Sequence, residues 1–129
     1  MMESEATGTF DVKLTPIGAS DGPIGTMSID KIFHGDLQGI SVGQMLAFRS
    51  GVEGSAGYVA MERVTASLGG RQGSFIFQHT GLMDKGTQSL AVVVVPDSAT
   101  EGLVGLMGAM NIVVTPGRHD YQFRYTLPD

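Results

Sequence analysis

The chain has 129 residues, a formal net charge of −5 and no cysteine. That is the length of one domain with one hydrophobic core; disulfides, thiolate metal sites and a cysteine nucleophile are excluded. Its 8 Lys and Arg residues are scattered, so there is no basic stripe of the kind that holds nucleic acid or an anionic membrane.

Residues 1–6 read as a disordered lead, and residues 7–129 as a single domain. In Thr7 to Leu14 the residues Phe10, Val12 and Leu14 alternate with polar ones, the period-2 signature of a half-buried strand. Pro16 to Pro23, with Gly18 and Asp21-Gly22, reads as a loop. Ile24 to His34 is a second strand with Met27, Ile29 and Phe33 on one face, and Gly35-Asp36 suits a hairpin turn. Leu37 to Phe48 is a third, with Ile40, Val42, Leu46 and Phe48 on one side and Gly39, Ser41 and Gly43 on the other. A glycine-rich strand face marks a bend or the close approach of another group.

Ser55 to Gly81 reads as two long strands around a Gly69-Gly70 turn. Tyr58, Ala60, Glu62 and Val64 share one face of the first, and Phe75, Phe77 and His79 one face of the second. Asp84-Lys85-Gly86 is another turn, and Thr87 to Val95 a strand closed by Pro96. Asp97 or Ser98 is placed to cap a short helical turn through Glu101. Ala109 to Thr115 and Arg118 to Leu127 are the last strands, joined at Pro116-Gly117. The last carries His119, Tyr121, Phe123 and Tyr125 on one face. About eight strands with evenly spaced turns predict an all-β, antiparallel, closed barrel, whose interior is either packed or holds one small ligand.

The central hairpin is also where a family resemblance lies. Tyr58, Glu62-Arg63, Gly69-Gly70-Arg71, Gly73-Ser74-Phe75 and Gln78-His79-Thr80-Gly81 resemble the core motif of the domain-of-unknown-function family 3224. Gly8 to Val12, Phe33 to Leu37 and Gly102 to Gly108 fit the same family, so the resemblance spans nearly the whole chain. It implies a barrel similar to allene oxide cyclase. It implies no activity, because fold is not function.

Chemistry is sparse. Glu62 and His79 sit on adjacent strands, where a carboxylate can orient an imidazole for proton transfer, and they are the candidate catalytic pair. Arg63 follows Glu62 directly and must point to the opposite face. Tyr58, Glu62, Gln78, His79, Tyr121 and Phe123 are the candidate ligand contacts. His34, His79 and His119 lack the close spacing of a metal site, so no metal is expected. Gly102, Gly105 and Gly108 follow a strand, but they lack the G-x-G-x-x-G spacing, the surrounding βαβ unit and the Gly-Lys-Ser/Thr of a phosphate loop. No cofactor is expected.

The reading that best joins these features is a barrel binding a small apolar or weakly polar molecule in its interior. The alternatives are a cyclase- or isomerase-type enzyme using His79 or Glu62, and a filled structural barrel without a ligand. Strands apolar on both faces predict a homo-oligomer. The acidic start MMESEATGTF differs from a signal peptide, and no apolar run reaches membrane-spanning length, which predicts a cytoplasmic protein.

Overall fold

The computed structural model describes residues 3–18 and 22–128. The strands are β1 (Ser4–Pro16), β2 (Gly25–Gly35), β3 (Leu37–Arg49), β4 (Ala56–Leu68), β5 (Arg71–Asp84), β6 (Thr87–Val94), β7 (Met107–Thr115) and β8 (Arg118–Thr126). Each pairs antiparallel with the next, and β8 pairs back onto β1, which closes the barrel. Closure covers the sheet edges, with the β6–β7 seam resting on the single pair Val93–Ala109.

The alternation read from the sequence is the alternation of the barrel wall. Phe10, Phe33, Val64, Phe75, Phe77, Val92 and Phe123 point inward and are buried, while Ile40, Val42, Leu46 and Phe48 lie on the outside. The glycine-rich face of β3 is therefore the inner one. A Cβ on Gly43 would stand 2.2 Å from the Met61 carbonyl oxygen and 2.7 Å from the Glu62 Cβ. Glycine is what lets β3 coil tightly against β4 there.

Several boundaries move by one to three residues, and two of the differences from the sequence reading have a clear physical cause. β1 begins at Ser4 rather than Thr7, because Ser4, Glu5 and Ala6 pair with Tyr125, Arg124 and Phe123, and Ala6 is buried. A small residue among polar ones gives no periodicity to read, so this extension shows only once β8 is beside it. Met1 and Met2 of the lead, and Ala19, Ser20 and Asp21 of the Pro16 to Pro23 reading, lie outside the described residues. The short turn is a 3₁₀ helix at Glu101–Leu103 whose N-cap position is Thr100, not Asp97 or Ser98, and no side chain caps it. The Ser98 and Thr100 hydroxyls bond elsewhere: Ser98 Oγ accepts from Ile76 N (3.0 Å), and Thr100 Oγ1 accepts from Ser74 N (3.1 Å).

These two bonds strap residues 95–106 across one end of the barrel, where Leu103 and Leu106 plug the bore. At the same end Tyr121 reaches the β2–β3 corner. Its hydroxyl accepts from Leu37 N (2.9 Å) and faces the carbonyls of His34 (2.8 Å) and Leu37 (3.0 Å). Burial of each plugging leucine stabilises the fold by about 1.5–3 kcal/mol. The opposite end, with the turns after β1, β3, β5 and β7, has no such plug among the described residues. There the inward register runs out to Leu14 at 44% exposure and Val114 at 61%, with Met27, Met45, Tyr58, Leu90 and Ile112 half-buried. Burial of the inward register is complete at one end and falls off toward the other, which is the open half of the barrel.

Candidate functional site

Where the packed half meets the open half, the interior holds four polar side chains. Glu62 on β4 is 1% exposed. Its Oε1 accepts from Ser41 Oγ of β3 at 2.8 Å, and its Oε2 accepts from Lys31 Nζ of β2 at 2.9 Å. His79 of β5 brings Nε2 to 2.6 Å from the same Oε2, although the contact lacks the alignment of a hydrogen bond. All four residues are buried.

The barrel's register assembles them. Lys31 pairs with Ser41 across β2–β3, Gly43 with Glu62 across β3–β4, and Ala60 with His79 across β4–β5. Neighbouring inward positions on four successive strands thus converge on one carboxylate. Below them are rings: Lys31 Nζ lies 4.8 Å from the Phe10 centroid, within cation–π range, and Phe77 meets the His79 ring edge-on at 6.2 Å.

Burial alone would raise the pKa of Glu62. The His79 contact, the Lys31 charge and the Lys31 hydrogen bond outweigh it and bring the carboxyl down to about 2. Glu62 is therefore ionised throughout the neutral range. Tyr58 stands above, toward the open end, with its ring against Gly81, where a Cβ would come within 2.3 Å of it. Burial first, and the Glu62 charge second, push the Tyr58 phenol up, so it stays a neutral donor.

Of the residues singled out in the sequence, the structure brings together Glu62, His79 and Tyr58. Gln78 is exposed on the outer wall between Met61 and Val93, so it is not an interior contact. It follows from period 2: His79 points in, so its neighbour points out. Tyr121 and Phe123 do face inward, but in the packed half. Tyr121 spends its hydroxyl on the closed end, and Phe123 packs on Phe77 at 5.4 Å and Phe75 at 6.1 Å. His34 is exposed beside Asp11, 3.0 Å away, and His119 lies against Phe10, so the three histidines do not converge.

Lys31 and Ser41 were missed. Lys31 shares the parity of Met27, Ile29 and Phe33, so the inward pattern already ran through it, but lysine reads as a surface residue. Ser41 lay on the glycine face with no sign that this face was the inner one. A groove of about 600 Å³ past Leu46, Phe48, Val59 and Leu82 lies on the outer wall, not over this cluster.

A family model described as a protein of unknown function (DUF3224) matches residues 6–125. A crystal structure of a protein with unknown function from the DUF3224 family, from Shewanella oneidensis MR-1, is similar over 99% of each chain, with 44% identity and a TM-score of 0.92. No curated protein matches.

Proposed function

Since the chain belongs to the DUF3224 family, whose description carries no activity, its function has to be read from its own interior, and we propose that it binds a small, mainly apolar molecule in the open half of the barrel. The observation that carries this is the gradient along the bore. Met27, Met45, Tyr58, Leu90 and Ile112 are half-buried on the inward register above the Lys31–Glu62–His79 cluster. An apolar wall with few polar groups at its floor is the usual make-up of a small-molecule site. The cytoplasmic location is part of the same proposal and rests on the cysteine-free composition.

Native mass spectrometry of the protein purified from cells tests this reading. A co-purifying small molecule, lost in a Met45→Trp variant that fills the bore, is the expected result. Wild-type protein that is bare and takes up no apolar probe overturns the reading.

A catalytic version of the site, of cyclase or isomerase type, is favoured at one point only. A carboxyl brought down to about 2 is too weak a base for proton transfer at neutral pH. The proton would therefore move through His79, with Glu62 orienting the ring. Turnover of the co-purified molecule that vanishes in His79→Ala, with binding retained, is the result expected of an enzyme.

The outer wall supports self-association. Three adjacent cross-strand rows over β3–β6 carry no charged residue, including Leu46-Val59-Thr80-Ala91, Gln44-Met61-Gln78-Val93 and Phe48-Gly57-Leu82-Ser89. Depletion of charge marks the core of an interface. In a molecule of net charge −5, such a face is also where a second copy can approach without like-charge repulsion.

A further inference from the structure

The polar floor of the bore is rich in donors and short of acceptors. The ammonium of Lys31 has three N–H groups, and one of them is taken by Glu62. His79 Nε2, 2.6 Å from a carboxylate oxygen, must carry a proton, because a bare lone pair there would face a negative charge. That N–H is buried and makes no aligned hydrogen bond. The Tyr58 hydroxyl, nearer the open end, donates to no described residue and stays protonated. Against these donors stands one carboxylate, already engaged by Ser41, Lys31 and His79. A buried donor whose close acceptor is a shared and poorly aligned carboxylate oxygen is under-satisfied, so the arrangement favours a ligand that completes it.

We infer that the molecule bound in the open half of the barrel presents an oxygen acceptor, a carbonyl or a carboxylate, to Lys31 and His79 at the floor, with its apolar body along Met27, Met45 and Leu90. A ligand ending in an ammonium would meet two cationic or donor groups and is rejected. A pure hydrocarbon leaves the donors unpaired and binds more weakly. The inference rests on the binding proposal above and adds the chemistry of the recognised group.

Calorimetric titration of the wild-type protein with decane, decylamine, 2-decanone and decanoate tests it. The four share one body length and differ in their polar end. The expected result is that 2-decanone or decanoate binds at least about tenfold more tightly than decane and decylamine, the selectivity one unshared hydrogen bond to a charged donor gives. Which of the two binds better separates a neutral carbonyl from an anion. In addition, the infrared C=O stretch of bound 2-decanone shifts to lower frequency, and the shift is lost in His79→Phe and in the double variant Lys31→Met/Glu62→Leu. Because the ranking is read on the wild-type protein, it does not depend on either variant folding. Equal binding of all four, or tightest binding of decylamine, overturns the inference and leaves the binding proposal standing. Binding of none overturns the binding proposal, and the inference falls with it.

Discussion

A carboxylate enclosed by a lysine, a histidine and a serine ties the stability of the barrel to pH. The Glu62 carboxyl lies at about 2 in the fold against an ordinary 4.5. A group lowered in this way adds stability above its unfolded pKa and loses it as the pH falls through the folded one. The contribution is on the order of 3 kcal/mol. It is fully present above about pH 4.5 and gone below about pH 2. Denaturant midpoints measured from pH 6 down to pH 2 are expected to fall for the wild type, and the fall is expected to be shallower in Glu62→Gln. Equal slopes would mean that Glu62 is not the titrating group.

The Lys31–Glu62 pair makes a second prediction at this scale. Lys31→Met leaves a buried carboxylate without its cation and is expected to cost about 3–5 kcal/mol. The double variant Lys31→Met/Glu62→Leu replaces both charges with apolar groups and is expected to recover most of that loss. Chemical denaturation of the two variants decides it. Recovery would show that the pair serves binding or specificity and not stability, since an apolar floor holds the fold as well.

Strands are the level at which the sequence was most informative. Every strand carries a period-2 pattern or a turn at its edge, and the two face sets of β4, β5 and β8 were legible residue by residue, though not which set pointed inward. The parity of β3 was legible too, but which face was inner was not. Its outward residues Ile40, Val42, Leu46 and Phe48 are the more apolar, and glycine on the inner face shows only as a clash with a neighbouring strand. The candidate site was half legible for the same reason. Glu62 and His79 follow from the hairpin alone, but Lys31 and Ser41 reach them through β2–β3 and β3–β4 pairing that no local pattern encodes. Gly43 is where this coiling can be tested. Gly43→Ala sets a methyl group against the Met61 carbonyl and the Glu62 Cβ, and the expected loss is about 1–3 kcal/mol. Thermal melts should show it, and ligand uptake should fall further than in a control such as Gly117→Ala. That residue meets nothing within 4 Å, although its φ of +73° brings its own backbone strain. A Gly43→Ala protein as stable as the wild type would mean that β3 and β4 can part there freely.

The whole molecule shows its apolar content twice, once inside and once outside. Val59, Met61, Leu46 and Phe48 are each roughly half exposed on adjacent strands. This is why both faces of the central hairpin look like a core in the sequence, and why hydrophobicity alone could not tell the lumen from the outer wall. If a second copy covers this wall, light scattering at micromolar concentration should give a mass at least twice 13.6 kDa. Val59→Lys or Met61→Glu should return it to one chain without unfolding it. A wild-type mass of one chain would remove the self-association proposal and leave the interior site unaffected.

The pairing of β1 with β8 has a consequence for how the chain could be rewired. Ser4 lies opposite Tyr125 in the wall, so the two ends of the described barrel run side by side at the plugged end. Linking them and cutting the chain at Lys85-Gly86 would give a circular permutant that keeps all eight ladders. Its new ends would sit at the rim of the open half, where a fused reporter would stand next to the entrance of the bore.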